Sequence, residues 1–304
     1  FSKSHNIISL FFLQEISYNY KNSSTTTSLF FPGRISMDYS QYTLEKTGYL
    51  KEEFRLFHIN DRTDREFSYH YHDFHKIIVF LSGKVTYHIE GKAYHLKPRD
   101  ILLVSQGAIH KPEIDFSVPY ERFVLWIRDD IKSTELLRCF QKAIDRSYNL
   151  IRLDSDTQEK LKQLLYELEA ALKDEKFGSK LLGSALFTQF MVYVNRIFLE
   201  KQYIYDTRSY SSDSQIEELL RYINHNLTED LSIETLSRKY YLSKYHMMRK
   251  FKEETGYTIH NYIISKRLLL ARTKISEGTP ILKAAQLSGF SDYTTFSRAY
   301  KKQF

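Results

Sequence analysis

Cysteine is all but missing from this chain: Cys139 is the single one among 304 residues. An internal disulfide and a thiolate zinc site are thereby excluded, and a reducing compartment is the natural setting. Proline is scarce, five in all. None falls between Tyr120 and Thr279, so nothing in that stretch interrupts a helix. No unbroken apolar run approaches the ~20 residues that span a bilayer. Ile7–Leu13 is at the short limit for a signal core, is followed by Glu15 and lacks a small-residue cleavage site. A cytoplasmic protein without a membrane segment is expected. Also missing are G-x-S-x-G, a P-loop and a dinucleotide-binding glycine fingerprint, and Cys139 has no visible catalytic partner.

What is present is ordinary globular material, 42% hydrophobic and 27% charged, which excludes wholesale disorder. At ~100–200 residues per domain the length suggests two domains or three small ones. The net charge is +7. Ser212–Phe304 holds fifteen Lys and Arg against ten Asp and Glu, so most of the excess lies in the last third. That balance alone describes a solvated surface as well as it describes a nucleic-acid partner.

Residues 1–36 show no sustained period, and Asn22–Ser28 is polar and of low complexity. Patterned sequence starts at Met37, the first methionine, which is the expected translation start. Residues 37–128 read as β. Lys76–Ser82 is a short apolar run, Lys84–Glu90 alternates with Val85, Tyr87 and Ile89 on one face, and Tyr120–Ile127 alternates again. Turn signals every 8–12 residues indicate an antiparallel sandwich or barrel. Over 129–200 the period becomes helical. Thr157–Glu175 aligns Leu161, Leu164, Leu165, Leu168 and Leu172, and Lys180–Leu199 aligns Leu182, Leu186, Phe187, Phe190, Met191, Val194 and Ile197. Such stripes serve either a helical hairpin packed on the barrel or a self-association surface. Residues 201–214, rich in Ser and Asp, read as a linker.

From 215 to the end the helices are short. Ser214–His225 is amphipathic through Ile216, Leu219, Leu220 and Ile223. Ser232 is a cap signal for the helix bearing Ile233 and Leu236, and Ser243 caps Lys244–Glu254. Met247 and Phe251 pack inward there, leaving Lys244, Tyr245, Met248 and Arg249 outward. Two short helices across a tight turn, the second with a basic and aromatic outer face, describe a helix-turn-helix. The pattern recurs: Pro280 suits a first helical turn, Ala284-Ala285 allows close approach, Gly289 suits a turn of positive φ, and Phe290 is an anchor. Asp292–Lys302 then buries Phe296 and Tyr300 and faces Tyr293, Thr294, Ser297, Arg298 and Lys301 to solvent. Thr258–Ser276 reads as a rigid connecting helix ~30 Å long, of the order of one B-DNA turn, ~34 Å. The two units fall at about 232–254 and 280–302, and their recognition helices are placed to enter successive major grooves.

These residues resemble the AraC/XylS family of transcriptional regulators. The resemblance covers Gln215 to the end and is carried by FKEETG at Phe251–Gly256, Tyr262, Arg267–Ala271, and GFSD at Gly289–Asp292 with Phe296 and Arg298. It implies sequence-specific binding of double-stranded DNA through Ser243, Lys244, Tyr245, Met248, Arg249 and Lys252 of the first unit and Asp292, Tyr293, Thr294, Arg298 and Lys301 of the second. Arg249 and Arg298 suit a guanine edge or a phosphate, and Lys250, Lys252, Lys301 and Lys302 suit phosphates. Two departures stand out. Tyr241 occupies a turn position where the family often has glycine, and the sequence ends at Phe304, where the family usually continues with a Gly, a Pro and a short helix.

The segment His70–Gly83, followed by Pro98–His110, looks like the cupin-like sensor domain that precedes such DNA-binding domains. The whole is therefore expected to be an α+β multidomain chain: an N-terminal antiparallel cupin-like β-barrel with a helical hairpin, then an all-α double helix-turn-helix domain. Metal-binding cupins use H-x-H, a Glu four residues on, and a distant His. Here His70, His72 and His110 are present, but Lys76 stands at the Glu position, and an ammonium offers a cation no lone pair. No metal or other cofactor is expected. A lumen lined by His72, Lys76, His88 and His110 suits an anionic or polyhydroxylated effector, a sugar or another small polar metabolite. The resemblance implies a bacterial effector-responsive regulator, a homodimer, with RNA polymerase as a further partner. The alternative is a metal-dependent cupin enzyme with a helical appendage, which Lys76 opposes.

Overall fold

The computed structural model of the chain describes residues 45–46, 48–62, 67–204, 210–211 and 213–304. The expected leader 1–36, the start at Met37, and linker residues 205–209 and 212 lie outside the described residues. Residues 44–304 form one compact unit.

Eleven strands among the described residues make two sheets. One has the order β1 (Glu45–Lys46), β3 (His70–Tyr71), β8 (His110–Ile114), β5 (Val85–Ile89), β6 (Lys92–His95), β11 (Tyr210–Ser211). The other runs β10 (Leu150–Ile151), β7 (Ile101–Val104), β4 (His75–Ser82), β9 (Tyr120–Ile127), β2 (Phe54–Asp61). Every pairing is antiparallel except β1 with β3. Strand β5 keeps the predicted alternation, with Val85, Tyr87 and Ile89 buried and Thr86 and His88 turned out. Strand β4 reads as a continuous apolar run because both its faces are covered. On one face His75 stacks on Phe140 of α1 (Arg138–Arg146), with ring centroids 4.3 Å apart. On the other, Lys76 reaches the first sheet.

The helical stripes resolve as a hairpin packed on the barrel. Helices α2 (Ser155–Lys173) and α3 (Ser179–Leu199) give Leu161, Leu164, Leu165, Leu168, Phe187, Phe190, Met191, Val194 and Ile197 to the barrel's core. Phe187 stacks on Phe54 of β2 at 4.0 Å. Helix α3 is long and apolar enough to cross a membrane by length and composition, although it holds no unbroken apolar run of that length. Its buried face belongs to the core just described. Leu172 and Leu182, expected on the stripes, are exposed at the hairpin's tip with Phe177 and Leu181.

The linker is partly woven into the fold: Tyr210 pairs with Tyr94 of β6, and the ammonium of Lys92 lies 4.6 Å from the Tyr210 ring. Six helices follow: α4 (Ser214–His225), α5 (Ile233–Tyr240), α6 (Lys244–Thr255), α7 (Ile259–Ser276), α8 (Ile281–Leu287) and α9 (Tyr293–Gln303). Asp213, Ser232, Ser243, Thr258 and Asp292 cap five of them through side-chain oxygens that accept backbone N–H groups. Pro280 takes the N-cap position of α8, one residue before the first turn expected for it. Ile216, Leu219, Leu220, Ile223, Leu236, Met247 and Phe251 fill the first unit's core, and Leu268, Ala271, Ala285, Phe290 and Phe296 the second's. Gly289 has φ +87°, and a Cβ there would lie 2.3 Å from the Leu227 carbonyl oxygen, so this turn requires glycine.

Tyr241 ends α5 in the left-handed region at φ 54°, ψ 35°, with its side chain 96% exposed. The turn thus keeps the backbone that a glycine would take, at a cost of roughly 1 kcal/mol for a residue with a Cβ. Tyr241→Gly is expected to raise the urea midpoint of the helical region, stabilising it by up to about 1 kcal/mol; an unchanged or lower midpoint would refute strain at this turn.

Candidate nucleic-acid interface and ligand site

Helix α6 owes its position to the Ser243 cap, where Oγ accepts from His246 N–H at 3.3 Å, and to Met247 and Phe251, both fully buried. At the 3.6-residue period those anchors turn Lys244, Tyr245, Met248, Arg249 and Lys252 outward, and all five are exposed. Helix α9 repeats the construction. Asp292 accepts from the backbone N–H of Thr294 and Thr295, Phe296 is buried, and Tyr293, Thr294, Arg298 and Lys301 line the outer side. Both outer faces are therefore present.

Three of these side chains have partners within the helical region. Arg249 meets Glu253 at 2.7 Å, Lys244 meets Glu234, and Arg298 donates to its own helix at the Thr294 carbonyl, 3.4 Å away. Asp292 also caps α9: both its carboxylate oxygens accept at the head of the helix, and these hydrogen bonds hold its pKa below the usual range. It stays anionic and caps the helix. Ser243 likewise serves first as a cap.

Inside the barrel, β4 brings Lys76 against β3 and β8. Its Nζ lies 2.5 Å from His72 Nε2 and 3.3 Å from His110 Nε2, all three residues being buried. The tautomers follow from the neighbours. His70 Nδ1–H donates to the Ser68 carbonyl and His110 Nδ1–H to the Ala108 carbonyl, each at 2.8 Å, which leaves both Nε2 atoms with a lone pair. Burial first, and the Lys76 charge second, pull the His70 pKa down to about 4 and that of His110 well below its ordinary value. Beside Lys76 across the β4–β9 ladder stands Trp126, whose Nε1–H is buried without a hydrogen-bond partner.

The expected lumen set of His72, Lys76, His88 and His110 is corrected at His88. It sits at an even position of β5, points away from the lumen and pairs with Glu113 at 2.9 Å. The alternation of Val85, Tyr87 and Ile89 already implied that orientation. His70 takes its place in the cluster. Trp126 escapes sequence reasoning because it reads there only as one step of an alternating strand.

A divalent cation does not fit while Lys76 holds this position. The ligand atoms of His70, His72 and His110 lie within 4.8 Å of one another. Lys76 Nζ already stands against two of them, His72 and His110, where its ammonium offers a cation no lone pair and repels it. Lys76→Glu is expected to bind Ni2+ at about one equivalent per chain by calorimetry, with binding lost when His110→Ala is added. Equal Ni2+ binding by the wild-type chain would contradict that reading of Lys76.

Two family models match the chain: an AraC-like ligand binding domain over residues 55–191 and a helix-turn-helix domain over residues 236–304. The HTH-type transcriptional activator RhaR of Mannheimia succiniciproducens is 23% identical over 240 residues, covering 78% of this chain and 84% of that protein. The multiple antibiotic resistance protein MarA of Escherichia coli is 37% identical over 90 residues, 29% of this chain and 71% of MarA. Among solved structures, ToxT of Vibrio cholerae aligns with 83% of this chain and 94% of its own, at 16% identity and a TM-score of 0.31.

Proposed function

The chain belongs to the AraC family of transcriptional regulators, and on that premise we propose that it binds one DNA sequence through α6 and α9 in successive major grooves, under the control of a small anionic effector in the barrel. The observation that carries the first half is the repeated unit: two helices, each capped by a side chain at its head and anchored by a buried phenylalanine, each presenting an arginine on its outer side. Helix α7 joins them with 18 residues, ~27 Å of rise against ~34 Å per turn of B-DNA.

Arg249 and Lys244 exchange their internal carboxylate partners for DNA. Exposed pairs of this kind are worth only ~0.2–1 kcal/mol, so the exchange costs little. Arg249 and Arg298 read guanine edges or grip phosphates, while Lys252 and Lys301 contact phosphates. Lys76, with the unpartnered Nε1–H of Trp126 beside it, supports an anionic effector over a neutral sugar. The exposed Leu172, Phe177, Leu181 and Leu182 at the tip of the α2–α3 hairpin support a homodimer. Activation through RNA polymerase follows the activators among its relatives, and binding chromosomal DNA implies the cytoplasm.

Footprinting on the DNA upstream of its own gene tests the reading. A defined protected site is expected, with Arg249→Ala and Arg298→Ala each costing about 1–3 kcal/mol and relaxing preference at one position if they read bases. Lys301→Ala should weaken all sequences alike and lower the salt slope by about 1. Shallow, sequence-indifferent binding would end the proposal. A thermal-shift screen of small acids and sugars tests the effector half, with stabilisation expected from acids and lost in Lys76→Met.

A further inference from the structure

The segment Tyr69–Asp73 has two faces, and they look at two different functions. Its even residues face the lumen: His72 holds Lys76, and the His70 ring lies 4.4 Å from that of His110. Its odd residues hold the DNA-binding helices. Tyr69 OH donates to the Glu254 carbonyl at 3.1 Å at the end of α6, and the Tyr257 hydroxyl donates back to the Tyr69 carbonyl. Tyr71 OH accepts from Gln303 of α9 at 3.0 Å, and the Asp73 carboxylate accepts from Arg272 of α7 at 2.9 Å. Both helix-turn-helix units and the helix between them are thus gripped by three alternate residues.

Gly107–His110 repeats the arrangement. The Gly107 carbonyl accepts from Lys266 of α7 at 3.0 Å, and Ile109 packs into the first unit's core, while His110 faces Lys76. The two segments are joined by Gly107 N–H donating to the His72 carbonyl at 2.9 Å. Tyr69–Asp73 is five consecutive residues with His70–Tyr71 as β3 at its centre, so the two faces have no independent setting: a backbone movement that adjusts the histidines moves the tyrosines and Asp73 as well. The contacts are also tight. A Cβ on Gly256, at the end of α6, would lie 2.2 Å from the Tyr69 ring.

We propose that Tyr69–Asp73, backed by Gly107–His110, is the relay through which the state of the His72–Lys76–His110 cluster sets the barrel's grip on both DNA-binding units. The proposal rests on the cluster being the effector site. An anion that draws the Lys76 ammonium off its imidazoles favours one strand setting over the other, which is the differential affinity that coupling requires.

Amide hydrogen exchange on the full-length chain, without DNA or effector, tests the relay. In Lys76→Met, peptides covering Glu254–Lys266 and Arg272 to Gln303 are expected to exchange about threefold faster or more, although the substitution is made on the lumen side of the relay, while the α2–α3 hairpin keeps its wild-type rate. Faster exchange confined to the barrel strands, or spread evenly over the chain, would overturn the proposal. Should Lys76→Met be unfolded by circular dichroism, Lys76→Arg takes its place with the same two outcomes. Because no DNA is used, a missing footprint would refute the regulator reading and leave this result standing, and an unchanged α7 would refute the relay with the footprint intact.

Discussion

The carboxylate of Glu90 joins the two halves of this protein. It sits on the β5–β6 turn, in the left-handed region at φ 48°. It accepts from the Ile109 backbone N–H at 2.7 Å, from Lys266 Nζ at 2.7 Å and from the Tyr262 hydroxyl, with Asn224 Nδ2 at 3.5 Å. Barrel rim, α4 and α7 therefore converge on one charge. Hydrogen bonds to a carboxylate are the stronger kind, and removing this acceptor would leave the buried Ile109 N–H without its partner, while Lys266 and Tyr262 would keep only Gly107 and Asn224. A backbone setting that costs a Glu roughly 1 kcal/mol is sustained by bonds that only this placement allows.

That convergence explains the character of α7. Its apolar residues do not form a stripe, since Tyr262, Ile263, Leu268 and Ala271 are buried on different sides. Ile259 and Ile263 complete the first unit's core, Leu268 and Ala271 the second's, and Tyr262, Lys266 and Arg272 face the barrel. Arg267 adds a tie of its own, donating to the Leu227 and Glu229 carbonyls at 2.7 and 2.8 Å. A helix whose apolar residues point to several sides is a helix covered on several sides. The connector between the two units is thus also the seat of the barrel, so whatever alters that seat acts on both units together.

Much of this was legible in the chain. The caps at Ser232 and Ser243, the i, i+4 pairs Met247–Phe251 and Phe296–Tyr300, and the glycine at 289 are local signals, and local signals placed the helices within a residue or two. The alternation in Lys84–Glu90 and Tyr120–Ile127 located β5 and β9 for the same reason. What escaped depends on partners far away in sequence. Glu90 reads as the end of an alternating strand until α7 is laid against it, and nothing in the sequence marks Tyr69 as a partner of Glu254 and Tyr257. Asp292 reads only as an outer-face residue, while its oxygens also cap its own helix. His88 is different: its orientation followed from the alternation already noted for its neighbours, and grouping it with the lumen histidines counted residue type above position.

Lys76 separates this barrel from one built to hold a metal. The three imidazoles, two of them oriented by backbone carbonyls, are clustered as ligands would be, and two of them, His72 and His110, meet an ammonium tethered to β4. A tethered cation cannot be exchanged or chelated away, and it carries one charge where a metal carries two. Its hydrogen bonds to the imidazole nitrogens of His72 and His110 are weaker than coordination bonds. On the reading proposed above, that weakness is useful, because an incoming carboxylate or phosphate competes with hydrogen bonds to imidazole instead of having to strip a bound ion. The enthalpy gained by pairing the charge then becomes available, through the two-faced strand beside it, to shift the seat of α7. A catalytic metal site needs its ligands fixed; a sensor needs them movable, and an amine on four methylenes is movable.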